Sequence, residues 1–406
     1  MFNDLNNAMS TPYQHFQIQC LLILCSSLLS PLSFAGEDCH LNGESVSMYN
    51  GATTAGKTGI IRCKDSDTGK LLRDREIKAG KIYGLLRQYR DGVLVLEYTD
   101  EENGQRHGLS REYANNGKLI KEETEDHGKR KGLQREWTME GKLKKLEWIG
   151  SSEAESASIR WTPDGAINSL RCASKPVLAP HVDDANLCGF KGKPSKLSYL
   201  HDGGQKRASE TLLGGVVQES TQYDYNSGKI RSTSELKANE LTETSYADNG
   251  NKRHQVVFNM TEKSRAFIRK TEFHDSGPMV KEQKFSMLEI DGRRRNIMVE
   301  ETQFYLNGQI RSQDRYRFEG KDYLLDARTF SDKGKLVDVA SYVVESTYSR
   351  RPFGVHQSFF ESGKLASEHH YSSTGKIFRQ KSWSEQGVLE SDEEVFEDGS
   401  RKAYNK

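Results

Sequence analysis

Apolar and polar residues alternate along most of the chain, and the alternation restarts at regular intervals. In the stretch Gly108 to Leu119, Leu109, Arg111 and Tyr113 fall on one face of an extended strand, while Ser110 and Glu112 take the other. Three segments repeat the pattern: Gly84-LLRQYRDGVL, Gly108-LSREYANNGKL and Gly132-LQREWTMEGKL. Their leading glycines stand 24 residues apart, as do Leu85, Leu109 and Leu133, then Arg87, Arg111 and Arg135, then Tyr89, Tyr113 and Trp137. A fourth copy follows in step at Trp161, with Gly165 and Ile167 behind it.

The pattern continues to the C-terminus with looser spacing. An aromatic residue stands four positions before a glycine at Tyr113/Gly117, Trp137/Gly141, Trp161/Gly165, Tyr199/Gly203, Tyr246/Gly250, Phe273/Gly277, Phe304/Gly308, Phe330/Gly334, Phe359/Gly363, Tyr371/Gly375 and Trp383/Gly387. The gap is three at Tyr89/Gly92, Tyr225/Gly228 and Phe396/Gly399. Near the end, Gly363, Gly375, Gly387 and Gly399 recur every 12 residues, so one 24-residue unit holds two strands and two turns. Asn116-Gly117, Asp164-Gly165, Asn249-Gly250 and Asn307-Gly308 supply residues that accept positive φ, as tight hairpin turns require. After each turn an aliphatic residue restarts the apolar face: Leu119, Leu143, Ile167, Ile310, Leu336, Leu365, Ile377 and Leu389. These features predict an all-β chain, an elongated antiparallel sheet or solenoid of consecutive β-hairpins. Its stability is then roughly a sum of neighbour terms. The aromatics are read as packing ladders rather than as ligand stackers.

The repeat Gly-Leu-x-Arg-Glu-[Tyr/Trp]-x-x-x-Gly-Lys-Leu resembles the bacterial MORN-repeat variant, as found in the YwqK-like antitoxin family and in many secreted bacterial proteins. The resemblance is close over residues 60–170 and degenerate over 199–402. It implies the same elongated sheet of hairpins, carries no family-wide catalytic residues, and suggests an antitoxin or immunity role.

Composition narrows the class. Of 406 residues, 34% are apolar and 29% charged, too wet for a single thick core and too rich in aromatics for a disordered chain. Net charge is +1, from 59 basic and 58 acidic residues, so overall charge names no nucleic-acid or lipid partner. The first basic residue is Lys57, and an uncharged apolar run, Cys20 to Ala35, precedes it. Its densest part is shorter than the roughly 20 residues that span a bilayer. Ser33-Phe34-Ala35 offers small residues to a signal peptidase, so residues 1–35 are read as a secretory signal peptide, with the mature start at Gly36. The leading segment lacks the usual positive charge, and the start codon is Met1 or Met9. The expected location is the periplasm or the exterior.

Beyond the signal, four cysteines form two near pairs, Cys39 with Cys63 and Cys172 with Cys188. In an oxidising compartment two local disulfides are the economical expectation, and the absence of a CxxC spacing argues against zinc. Residues 36–60 are expected to be irregular. Residues 61–171 form a first repeat array and 197–406 a second. Between them, 172–196 form a Cys-bounded, Pro-containing excursion, the leading candidate for recognition because it interrupts the repeat.

Several motifs are weighed against structural readings. Gly51-ATTA-Gly56-Lys57-Thr58 matches the P-loop pattern, but the strand-like Gly59-Ile60-Ile61-Arg62-Cys63 follows where a helix is needed. The Arg87/Arg111/Arg135 column is either a basic stripe or a set of guanidiniums lying over aromatics and paired with glutamates such as Glu97, Glu122 and Glu147; the second is preferred. His107, His127, His274 and the pair His369-His370 show no ligand spacing, so no metal, cofactor or catalytic residue is expected. The function anticipated is a non-enzymatic, exported repeat protein that binds a protein partner. An immunity-type protein that neutralises a toxin effector, such as an envelope-directed phospholipase, leads. The alternative is an envelope-associated structural module with weak membrane-surface contact.

Overall fold

The computed structural model describes residues 36–261, 265–290, 292–346 and 348–405. The signal peptide assigned to residues 1–35 lies outside the described residues. The chain forms two antiparallel sheets, of 12 and 17 strands, in which nearly every strand pairs with its neighbours in sequence. The first holds β1 (Glu37–Leu41), β2 (Glu44–Ser45), β3 (Gly59–Asp65), β4 (Leu71–Lys78), β5 (Lys81–Arg90), β6 (Val93–Asp100), β7 (Gly108–Tyr113), β8 (Leu119–Asp126), β9 (Lys129–Trp137), β10 (Leu143–Ile149), β11 (Ala157–Trp161) and β12 (Ile167–Arg171). The second starts with β13 (Ser195–Leu200), β14 (Lys206–Leu213) and β15 (Val216–Tyr223) and runs in sequence order to Arg401–Asn405. Neither sheet closes into a barrel.

Two kinds of turn alternate in the regular repeats. Where an aromatic residue leads into the turn, the loop has four residues. At Ala114–Gly117, Ala114 N–H donates to Lys118 O and Gly117 N–H donates to Ala114 O, both at 2.8 Å. Gly117 has φ +79°, a conformation that costs a residue with a Cβ about 1–2 kcal/mol. Asn116 keeps negative φ, contrary to the expectation of an Asn-Gly pair in the left-handed region. Its side-chain Oδ1 instead accepts from Lys118 N–H at 3.1 Å. At the opposite edge of the sheet, His127-Gly128 and Ala79-Gly80 make two-residue turns in which both residues have positive φ; Asp91-Gly92, which follows Tyr89 on the aromatic edge, is the exception there and makes the same two-residue turn.

The four-residue turns fix the register. Each aromatic is directly opposite the aliphatic residue that follows the glycine: Tyr113 faces Leu119, Trp137 faces Leu143 and Trp161 faces Ile167. In the second sheet Phe330 faces Leu336, Tyr371 faces Ile377 and Trp383 faces Leu389. Tyr246 and Phe273 hold the same place opposite Lys252 and Met279. One residue after each restart is bulged, which takes up the odd residue in the loop. Some sequence spacings mark other geometry. The turn glycine after Tyr199 is Gly204, not Gly203. Tyr225 and Phe396 sit within turns, and the strand-end positions belong to Tyr223 and Val395.

A single-layer sheet leaves both faces wet, and the eight strand-end aromatics just named are, with Tyr89, only half-buried. Apolar cores form where chain folds back on the first sheet. Residues 36–60, expected to be irregular, contribute β1 and β2, and β1 pairs with β3 so that Cys39 is directly opposite Cys63 in a disulfide. Leu41, Ile61, Cys63 and Ile77 face one side there, with Val46 and Met48 packed against them. On the opposite face, at the far end, Leu146 and Ile159 are sealed by Ala173 and Leu178 from the segment after β12. Val177, Val182 and Leu187 extend that seal.

Candidate interaction surface of the repeat sheets

Cross-strand register places one residue per strand in a row over β3–β9: Arg62, Asp74, Arg87, Glu97, Arg111, Glu122 and Arg135. The row continues with Leu146, Ile159 and Leu170 beneath the folded-back segment. Charges alternate because antiparallel neighbours sit side by side, and opposite charges there stabilise the sheet. Arg87 Nε lies 3.2 Å from Glu97 Oε2, Arg111 bridges Glu97 at 3.3 Å and Glu122 at 2.8 Å, and Arg135 reaches Glu122 at 2.5 Å. Tyr113 donates its hydroxyl to Glu97 at 2.8 Å, and Tyr89 donates to Asp74 at 3.2 Å. Burial pushes the Glu97 carboxyl up, but the Tyr113, Arg87 and Arg111 donors outweigh it and hold the group below its ordinary range. The same burial and the Glu97 charge raise the Tyr113 phenol to about 12. The arginine column is thus neutralised within the sheet. Two details differ from the expectation: Glu147 pairs with Lys145, at 2.7 Å, and among the described residues Arg135 alone of the three arginines lies within 6 Å of an aromatic ring, 5.8 Å from Trp137.

The excursion is a joint as much as a loop. The Cys172–Cys188 disulfide closes it, and a short helix, Asp184–Leu187, lies within it. Asp184 is buried, and its Oδ2 accepts from Val177 N–H at 2.7 Å and Leu178 N–H at 2.9 Å, fixing the segment against the first sheet. The other side meets the second sheet at its β14–β15 turn. Gly214 N–H donates to Gly189 O at 3.1 Å and Gly215 N–H donates to Cys188 O at 2.8 Å. Between the sheets, Asn168 of β12 donates to Leu200 O at 3.0 Å and accepts from Arg207 at 3.2 Å. Lys175, His181 and Lys191 of the excursion are exposed.

The second sheet carries a polar trough of about 480 Å³ across the strands from Ile310–Glu319 to Leu365–Tyr371. Its floor is low because Ala327, Ala340, Ser358 and Ser367 are small, and Tyr342, Arg350 and His356 rise beside them. Burial lowers the His356 imidazole and, with Glu301 nearby, raises the Asp314 carboxyl.

His107 and His127, read as isolated in the sequence, are neighbours in space with ring centroids 5.2 Å apart, between Glu101 and Asp126. His370 also has a carboxylate partner, Glu368, at 2.7 Å. The His107–His127 grouping comes from the strand register, which places turns of the same edge side by side, whereas Glu368 and His370 are two residues apart on one strand and share a face by its alternation. At the P-loop-like segment, Lys57 pairs with Glu44 at 2.7 Å and β3 follows directly.

The architecture is that of an all-β hairpin-repeat protein. Two segments match the family model described as MORN repeat variant, residues 106–124 and 354–373. Each is one strand–turn–strand unit, one in either sheet, so the two arrays are built from the same repeat. No curated protein matches the chain. Among solved structures, TcdB2-TccC3-TEV aligns at 12% identity and TM-score 0.18 over 89% of this chain and 20% of its own, so the chain spans about a fifth of that protein. A porin-like protein from Bacteroides uniformis aligns at 8% identity and TM-score 0.19, over 52% of this chain and 87% of its own. A putative 6-phosphogluconolactonase from the same organism aligns at 11% identity and TM-score 0.15, over 87% and 93%. TM-scores this low define neither fold nor function.

Proposed function

We propose that this chain is a non-enzymatic, extracytoplasmic binding scaffold of the immunity type, which holds a toxin effector against its sheets and blocks it. The observation that carries the reading is the single-layer architecture. Two long repeat sheets present broad half-wet faces, which suits them to a protein partner of matching extent. Two disulfides fit an oxidising compartment, where an envelope-directed effector such as a phospholipase would be met. The neutralised arginine row weakens the membrane-surface alternative, because it leaves no uncompensated basic stripe along β5–β9 for anionic headgroups.

The test is protection. Cells exposed to the candidate effector should survive when the chain is exported and should not when residues 1–35 are removed. Purified residues 36–406 should form a complex with that effector. Survival independent of export, or salt-sensitive binding to anionic vesicles with no protein complex, would overturn the reading.

A further inference from the structure

The loop between β6 and β7 and the turn between β8 and β9 lie side by side on one edge of the first sheet. Their backbones are joined where Gly128 N–H donates to Arg106 O at 2.8 Å, and the β6–β7 loop is itself closed by His107 N–H to Thr99 O and Glu101 N–H to Gln105 O, both at 2.9 Å. This fixes Glu101, His107, Asp126 and His127 around one point. The repeat does not demand histidine there. The positions 24 residues before and after His107 are Tyr83 and Lys131, and the comparable two-residue turn between β4 and β5 is Ala79-Gly80.

We infer that Glu101, His107 and His127 form a binding site for a zinc-class divalent cation, with Asp126 as the carboxylate that orients His127. Three distances carry the assignment. His127 Nδ1 lies 2.7 Å from Asp126 Oδ1, a full hydrogen bond that fixes the tautomer and leaves the Nε2 lone pair for a ligand. That Nε2 is 3.5 Å from Glu101 Oε2, and His107 Nδ1 is 3.4 Å from Glu101 Oε1. Such separations are long for hydrogen bonds. Each nitrogen approaches a different oxygen of Glu101, and each separation is close to the roughly 3.4 Å edge between two ligands bound at about 2.1 Å in a tetrahedron.

One ligand atom from each of the three residues lies within 4.8 Å of the others. Lys131 Nζ lies 2.9 Å from Asp126 Oδ2 and holds the second oxygen of the orienting carboxylate. Imidazole nitrogen with carboxylate oxygen is the donor set of zinc and its first-row neighbours, not of calcium. Three protein ligands leave a further position to water or to a partner's side chain. His107 and Asp126 also line a cleft of about 540 Å³ with Trp148, Glu155 and Lys175, so the site lies beside a cleft that the excursion helps to wall.

The test uses residues 36–406, treated with chelator and titrated calorimetrically with zinc chloride. One site per chain is expected that is lost in His107→Gln and in His127→Gln, by about 100-fold or more in affinity. Asp126→Asn should weaken it by about 10–100-fold while leaving both ligands in place, the mark of an orienting carboxylate. His274→Gln, on the second sheet, should bind as the parent does. X-ray absorption at the zinc edge should show two imidazoles. Circular dichroism checks that the variants keep their strands. Absence of binding at about 1 mM zinc, or binding unchanged in His107→Gln and His127→Gln, would overturn the site.

Discussion

Each repeat depends on a few side chains whose roles follow from their place at the strand end. Trp137 closes its strand opposite Leu143 and lies near the Arg135 guanidinium. A fully buried indole would cost ~3–5 kcal/mol to truncate. Trp137 is half-buried, as a single layer dictates, so Trp137→Ala should cost about 2 kcal/mol. Urea unfolding of the first sheet measures this, and a loss below about 0.5 kcal/mol would show that the indole does not support the ladder.

At the scale of the element, the charged row makes β5–β9 sensitive to acid. Glu97 is held below its ordinary value of 4.5 in the fold, so its contribution is complete above that pH and is lost as pH falls through the folded value. Thermal melts from pH 7 to pH 3 should show a loss in that lower window that is smaller in Glu97→Gln; equal slopes would remove Glu97 from the account. The excursion obeys packing before recognition. Leu178 is fully buried against Leu146 and Ile159, a contact worth about 1.5–3 kcal/mol. Replacing residues 174–186 with a Gly/Ser linker should therefore lower the melting midpoint of the first sheet, not leave it untouched as a simple connector would. An unchanged midpoint would contradict the seal. Recognition by this segment is better probed at exposed Lys175, His181 and Lys191, which can change without opening the core.

For the whole molecule the decisive feature is how two sheets are held together without a continuous ladder. The main-chain bonds run through the excursion to Gly214 and Gly215. Gly215 has φ +82°, and a Cβ there would stand 2.7 Å from Ala173 O. Gly215→Ala should loosen this joint, so that limited proteolysis cleaves faster between residues 172 and 194 while the strand signal by circular dichroism stays constant. Cleavage at the parent rate would mean that the Asn168 contacts with Leu200 and Arg207 suffice.

The sequence by itself determined the strands and turns of the regular repeats and the pairing of Tyr113 with Leu119 or Trp383 with Leu389. Each of these depends on residues a few positions apart, repeated so often that a local rule became a global one. Cysteine spacing likewise pointed to the two disulfides, because short loops close most readily. Only the tertiary structure decided how the repeat ends and what gathers at its edges. The segment 36–60 became edge strands because β3 had an open ladder to fill. The excursion became a seal because Leu146 and Ile159 continue a charged row with apolar side chains that need cover. His107 and His127 met between Glu101 and Asp126 because stacked hairpins bring the turns of one edge together, and that juxtaposition has no period in the sequence.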